Sequence, residues 1–295
     1  MFFKNLIVYT MQDNSSIKNI NDDLLQKIAF VPCGPTDFSK MGFVSPVDNY
    51  ALMLTLGEHS LLKVRTESRI LPSSVVNKKL AEKVKRQEEL LQRNLKKSEK
   101  LLLKDELMID LLPQAFTKDQ YTNIWINHRD NFIAVSSSSF KQAENILALL
   151  RKELGTLAVT PLSSDQPAER MFTEWLREDK AAENFIIHND ALLVDPLDTG
   201  KIKLTKEDLT TDAVKNYLDA GRTVESISLV YKAQTTFTIN TSFILSKIGY
   251  SSEMLDKNDD FNVDEKECRI EADFLLVAEE LSSLIKDLMP NFKTE

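Results

Sequence analysis

The sequence predicts an α+β protein, in which strands and helices are interspersed along a chain of 295 residues. Several short stretches alternate apolar and polar side chains, as half-buried strands do; TVESISLVY at 223–231 is one. Other stretches repeat apolar side chains every three or four residues, as helices do; residues 274–288 are one. The chain has only seven glycines, and neither G-x-G-x-x-G nor G-x-x-x-x-G-K-[S/T] occurs. This argues against a dinucleotide-binding fold and against a P-loop motor, because both need glycine where the backbone approaches phosphate.

Residues 1–72 are expected to form an N-terminal α+β region that 117–160 completes. Within 1–72 we predict a strand at FFKNLIVYT, one helix at IKNINDDLLQKI, irregular turns at AFVPCGPTDFSKMGFVSP, and one or two strands at LLKVRTESRIL. Within 117–160 we predict strands at YTNIWIN and NFIAVSS and an amphipathic helix at SFKQAENILALLRKELG, ended by its glycine.

Residues 161–295 are expected to form a C-terminal α+β region, with a boundary near 160–168. The predicted helices are MFTEWLRE, DLTTDAVKNYLDAG and EADFLLVAEELSSLIKDLM; the predicted strands are ENFIIHND, ALLVDP, KIKLT, TVESISLVY and TTFTIN.

Residues 73–116 are expected to form a protruding basic helical segment. Ser73 or Ser74 would cap a first helix whose apolar stripe falters near 93–94, and Ser98 would cap a second helix that runs to Leu112 before a proline. The pattern fits either a helical hairpin or one long, broken helix.

The charge of the chain is strongly polarised. The whole protein has a formal net charge of -8, yet 63–104 contain 13 basic and 5 acidic residues, and 251–295 contain 13 acidic and 5 basic residues. A solvated helix face is the ordinary interpretation of a charge run. The excess of one sign, together with Lys201, Lys203 and Lys206 downstream, also fits a surface that binds a polyanion. DNA binding of this kind would neutralise the backbone without regard to sequence, because no base-reading motif is present.

Other candidate sites are weaker. Residues 256–267 match several ligand positions of an EF-hand loop, but Phe261 stands where the turn needs glycine, so an acidic surface loop is the preferred interpretation. The three histidines lack metal-binding spacing, and Cys33 and Cys268 are expected to be unpaired thiols in a reducing compartment. We predict no catalytic residue, metal or cofactor. From the residues alone, Phe116 is expected to be an ordinary core side chain.

No apolar run approaches the roughly 20 residues that span a bilayer. The N-terminus lacks the features of a signal peptide, so the cytoplasm is the expected compartment.

Ten segments in this order resemble the bacterial recombination-associated protein RdgC family. They are FFKNLIVYT, AFVPCGPTDFSKMGFVSP, ILPS, LKKSEK, LKDEL, LLPQAF, LALLRKELGTLAVTPL, TEWL, LTKEDLT and EADF. The resemblance runs nearly from end to end of the chain.

The resemblance implies a non-enzymatic, nucleoid-associated protein that binds double- and single-stranded DNA with little sequence preference. It implies a ring-shaped homodimer, closed by two interfaces around a basic hole, that restrains the RecA recombinase by occupying DNA. The basic positions it marks as DNA-binding are Lys83, Arg86, Arg93, Lys96, Lys97, Lys100 and Lys206. It also implies that Phe116 lies at the ring-closing contact.

Two alternatives remain open at this stage. Abundant carboxylates allow a metal-dependent nuclease, although no spacing singles out a pair of ligands. The basic helices would also suit a protein-interaction module that binds an acidic partner.

Overall fold

A computed structural model of the protein describes residues 3–11, 15–47, 51–198, 200–258 and 266–292. The strands are β1 Leu6–Met11, β2 Ser39–Val44, β3 Met53–Leu56, β4 His59–Arg69, β5 Thr117–Asn127, β6 Phe132–Val135, β7 Val159–Pro161, β8 Phe185–Val194, β9 Lys201–Thr205, β10 Thr223–Tyr231, β11 Thr235–Asn240 and β12 Ile244–Tyr250. The α-helices are α1 Ser15–Lys18, α2 Asp22–Lys27, α3 Ser73–Leu91, α4 Lys97–Leu111, α5 Phe140–Leu154, α6 Ala168–Glu178, α7 Asp212–Asp219, α8 Ser252–Leu255 and α9 Lys266–Leu288. The predicted α+β class is confirmed.

All twelve strands belong to one antiparallel sheet. Its order is β2-β4-β5-β6-β1-β12-β11-β10-β8-β9, with β3 also paired to β4 and β7 also paired to β1. The first strand pairs with the last, Leu6 opposite Leu245, so one sheet runs through both predicted α+β regions. The short strand β7, at the predicted boundary, pairs with β1 as well.

The central strands are buried on both faces. In β1, Leu6 and Val8 face a core shared with α6, α7 and α9, whereas Ile7 and Tyr9 face a second core shared with α1, α2 and α5. Strict alternation of this kind follows from the two-residue period of a strand. The strands from β8 to β12 are buried on one face only. Their other face carries short hydroxyl side chains: Ser226, Ser228, Thr236, Thr238 and Ser246.

Several predicted elements were wrong in detail. The helix predicted over 17–28 is two short helices, because Asn21 accepts a hydrogen bond from the Leu24 amide at 2.9 Å and starts a new helix there. The segment predicted to be irregular contains β2, and the two strands predicted at ENFIIHND and ALLVDP are the single strand β8. Strands β3, β7 and β12 were not predicted.

The helices α3 and α4 form a hairpin inserted between β4 and β5, where Arg69 lies opposite Thr117. Their apolar seam consists of Val76, Leu107 and Leu111, packed with Leu71, Leu80 and Met108, and it is separate from both cores of the sheet. Of the two forms that the sequence allowed, the hairpin is correct. Ser98 is not the cap of α4, since Lys96 occupies that position.

Within the described ranges, no helix combines the length and the apolar character needed to cross a bilayer.

Candidate nucleic-acid interface

Two glutamates fix the turn of the hairpin. Glu88 of α3 accepts the Leu95 amide at 2.9 Å, and Glu99 of α4 accepts the Lys96 amide at 2.7 Å. Gln92 takes the left-handed conformation that ends α3, with φ of 48°. Adjacent backbone amides are therefore anchored by opposite helices, which holds the short connection 92–96 in one arrangement.

The same glutamates hold two of the predicted DNA-binding cations. Arg93 makes a bidentate contact with Glu99, at 2.6 and 3.0 Å, and Lys100 lies 3.0 Å from Glu88. The hydrogen bond from Arg93, followed by the one from the Lys96 amide, lowers the pKa of Glu99 to about 2. These two cations are thus partly neutralised inside the hairpin.

Lys83 is held in the same way across the two helices. Its ammonium lies 3.3 Å from Asp110 and 3.9 Å from Glu106, both on α4. All three groups are substantially exposed, so the pairs are weak and exchangeable. A phosphate arriving at Lys83 would compete with these carboxylates.

Arg86, Lys96 and Lys97 differ from the other hairpin cations. Their side chains are exposed, and none has a carboxylate within ion-pair distance among the residues that the structure describes. Lys96 and Lys97 are adjacent at the start of α4, at the tip of the hairpin. Of the positions predicted in this segment, these three offer a ligand positive charge that no ion pair among the described residues holds, although the charge of Lys96 also contributes to the lowered pKa of Glu99.

Lys206 is not close to the hairpin within one subunit. It follows β9, and seven strand steps separate β9 from β5, which corresponds to roughly 30 Å across a sheet. Its amide donates to Asp190 Oδ1 at 3.0 Å, and Lys247 Nζ lies 2.6 Å from the other oxygen of that carboxylate. The contact with Lys247 is the main reason that the pKa of Asp190 lies below its usual value.

Lys247 and Lys203 line the same polar face of the sheet as Lys206, around Asp190. Sequence reasoning missed Lys247, because it lies 57 residues from Asp190 and outside any basic run. These lysines and the hydroxyl side chains come onto one surface only because strands β12, β11, β10, β8 and β9 are neighbours in the sheet.

Phe116 is 86% exposed, so the expectation of a core side chain was wrong. Its backbone is firmly held: the Ile70 amide donates to the Phe116 carbonyl at 2.8 Å, and Arg69 donates to the preceding carbonyl, that of Ala115, at 2.9 Å. The Arg69 side chain also donates to the Gly34 carbonyl, and the Arg69 backbone amide donates to the Phe38 carbonyl. The side chain of Phe38 is itself half-exposed. A rigid backbone therefore presents a large aromatic ring to solvent.

Exposed leucines lie near the tip of the hairpin. They are Leu90, Leu91, Leu101 and Leu102, with exposed fractions of 49–79%. Apolar groups that remain exposed beside a charged surface are typical of a surface that contacts another macromolecule.

The remaining candidate groups have structural partners. His59 is buried; its Nδ1 accepts from Trp125 Nε1 at 3.2 Å, so Nε2 carries the hydrogen that Glu279 accepts at 3.1 Å. Both cysteines are free, and burial raises the pKa of the Cys33 thiol, the opposite of what an activated nucleophile needs. Among the described residues, no three His, Cys, Asp or Glu side chains cluster as metal ligands. The EF-hand-like run lies largely outside the described residues.

Comparison with known proteins gives a consistent result. The model of the family described as "Putative exonuclease, RdgC" matches residues 1–295. Curated relatives named "Recombination-associated protein RdgC" include those of Aeromonas hydrophila and Yersinia enterocolitica, each 36% identical over 293 residues. The matches cover 98% of this chain and 96% and 97% of the two relatives, respectively.

Proposed function

The chain belongs to the RdgC family, and we propose that it is a sequence-nonspecific DNA-binding protein that modulates homologous recombination. The observation that carries the proposal is the hairpin, where Arg86 of α3 and Lys96 and Lys97 of the tip are exposed and have no ion pair among the described residues, on a chain that is acidic overall. Cations of this kind gain affinity by releasing counterions from the DNA backbone, which requires no particular base.

The proposed active form is a ring-shaped homodimer that encloses DNA. In one subunit the hairpin and Lys206 lie at opposite ends of the sheet, so a single subunit would offer two separated basic surfaces. Two copies joined through Phe116 at one contact, and through a second contact elsewhere, would place these surfaces around a common space. The exposed ring of Phe116 at the base of the hairpin and the exposed leucines near its tip support self-association.

Enclosure would convert many weak phosphate contacts into slow dissociation, because DNA could leave only past a free end or through an opened contact. Occupied DNA would be less accessible to the RecA recombinase, which is the proposed route to modulation of recombination. Double- and single-stranded DNA would both bind, since both carry the phosphate backbone. Association with the nucleoid would follow from such binding.

The test has two parts. First, two duplexes of unrelated sequence should bind with equal affinity and with the same steep dependence on salt; a strong preference for one sequence would contradict backbone recognition. Second, dissociation should be slower from covalently closed circles than from linear DNA of the same length. Equal dissociation rates from circular and linear DNA would show that the protein does not enclose DNA, and would leave the proposal of DNA binding unaffected.

The family description favours a second candidate, an exonuclease. An exonuclease would shorten end-labelled linear DNA in the presence of Mg²⁺ or Mn²⁺, whereas a binding protein would leave its length unchanged. Incubating circular DNA with the same ions and measuring nicks would detect an endonuclease. Metal-dependent shortening that persists through purification would replace the proposal with this second candidate.

A further inference from the structure

A cavity lies between the centre of the sheet and the C-terminal end of α9. Its volume is about 420 Å³, within the range of roughly 300–1,000 Å³ that is usual for small-molecule sites. Its floor is formed by Val8 of β1, Phe132 of β6, Ile285 of α9, and Leu162, which follows β7. All four are buried residues of the larger core. The cavity is therefore an opening into the core and not a shallow surface patch.

The walls of the cavity are rigid. Strand β1 is paired with β6, β7 and β12, and α9 buries Phe274, Val277 and Leu281 in the same core. Asn127 Nδ2 donates to Ser282 Oγ of α9 at 2.8 Å, which links the helix to the end of β5. A site with such supports exists before any ligand arrives, so binding carries little ordering cost.

Two hydrogen-bond donors lie on one face of α9 at the cavity. Ser282 and Lys286 are four residues apart and both line it. Because Ser282 Oγ accepts from Asn127, its hydroxyl hydrogen remains to be donated, and no acceptor for it occurs among the described residues. Lys286 is exposed and has no carboxylate within ion-pair distance in the described part of the chain.

One carboxylate also lines the cavity. Asp130 accepts from Asn127 Nδ2 at 2.9 Å and lies 3.5 Å from Arg129 Nε, while the same guanidinium lies 3.0 Å from Glu279, so the charge of Asp130 is only partly compensated. The mouth thus combines an ammonium that has no ion pair among the described residues, a hydroxyl donor, and a carboxylate that shares Arg129 with Glu279. The two donors, both on α9, favour an anionic acceptor group at their side of the mouth.

We propose that this cavity binds an amphipathic monocarboxylate, a molecule with an aliphatic chain and one carboxylate. The chain would lie against Val8, Phe132 and Ile285, where its burial removes apolar surface from water. The carboxylate would accept hydrogen bonds from Ser282 and Lys286. The bond from the charged Lys286 ammonium would be the stronger of the two. The site is independent of the proposed DNA-binding function.

The test is calorimetric titration of the full chain with sodium octanoate, below its micelle-forming concentration, and separately with 1-octanol. Octanoate should bind at one saturable site. Lys286→Ala should weaken octanoate binding about fivefold or more, since a hydrogen bond to a charged group is lost, and Lys286→Arg should largely restore it. Octanol, which lacks the charge, should bind the unaltered protein, Lys286→Ala and Lys286→Arg with the same affinity. Lys215→Ala, which removes an exposed lysine of α7, is the matched control.

Met289→Trp should fill the cavity and abolish binding of both probes; Lys286→Ala decides the test if this variant does not fold. Absence of saturable octanoate binding to the unaltered protein would overturn the proposal. So would octanoate affinity that is unchanged in Lys286→Ala, or that falls equally in Lys215→Ala, because the carboxylate would then not be recognised at this mouth.

Discussion

The body of the molecule and its helical hairpin are stabilised in different ways. The body has a twelve-stranded sheet between two large apolar cores, and its central side chains, such as Trp125, are fully buried. The hairpin has a seam of six apolar residues and several ion pairs, and it leaves leucines and cations exposed. The body is thus a self-sufficient scaffold, whereas the hairpin presents groups that only another molecule would cover.

The largest expected effect is on the body. Trp125 packs edge-on against Phe132 at 4.9 Å and donates to His59. Trp125→Ala should lower the free energy of unfolding by about 3–5 kcal/mol, because it opens a cavity and leaves His59 Nδ1 unpaired. Urea unfolding followed by circular dichroism measures this. A loss below about 1 kcal/mol would show that the centre of the body is less tightly packed than described.

The matched change in the hairpin is Leu107→Ala. It should loosen α3 and α4 while leaving the urea midpoint of the body nearly unchanged, because the seam is separate from the sheet's cores. Hydrogen exchange should accelerate across residues 73–111 and not in β1 or α9. Equal acceleration throughout the chain would mean that the two regions unfold as one unit.

Phe116→Ala tests self-association. It should weaken the dimer by about 1.5–3 kcal/mol, the value of burying one large apolar side chain, with little change in melting temperature. Sedimentation velocity over a range of concentrations measures the dimer dissociation constant. Leu197→Ala, at a leucine that is 97% exposed near β9, is the control and should have no effect. A dimer dissociation constant that is unchanged in Phe116→Ala would place the contact elsewhere.

Lys96→Ala combined with Lys97→Ala tests the tip. Each lost phosphate contact should flatten the plot of log affinity against log salt by about 0.9, so the double variant should lose nearly two units of slope on duplex DNA. Affinity should fall alike for all sequences. The control is Lys180→Ala combined with Lys215→Ala, which also removes two positive charges, one from α7 and one from just after α6. This control should leave the slope unchanged. The same loss in both double variants would indicate a general charge effect.

The smallest effect concerns the ion pairs. Asp110→Asn frees Lys83 from one competitor and should raise DNA affinity by about two- to fivefold, the equivalent of a surface ion pair worth up to about 1 kcal/mol. Asp105→Asn removes the same charge from an exposed position of α4 that forms no ion pair with a lysine among the described residues. If both variants raise affinity equally, Asp110 does not compete with phosphate at Lys83.

The sequence was most informative where local periodicity decides structure. The spacing of Phe274, Val277, Leu281, Ile285 and Leu288 predicted α9, and all five are buried. It failed for β12, where Lys247 and the residue just before the strand, Phe243, have positive φ and a register shift interrupts the pairing with β11. Local pattern does not record such irregularities.

The candidate site was predictable in composition and not in arrangement. The basic run showed where the cations lie along the chain. It did not show that Lys83 is paired with Asp110, 27 residues away, while Lys96 and Lys97 have no such partner in the described part of the chain. Ion pairs between helices depend on packing angle and side-chain reach, which one-dimensional spacing does not contain.

Lysine footprinting of the unaltered protein shows directly whether DNA lies against the tip of the hairpin. The rate of acetylation at each lysine is measured by mass spectrometry with and without duplex DNA. We expect Lys96 and Lys97 to be strongly protected, Lys83, Lys100 and Lys206 to be protected less, and Lys180 and Lys215 to react as before. DNA that protects Lys180 and Lys215 while leaving the hairpin lysines fully reactive would contradict the account.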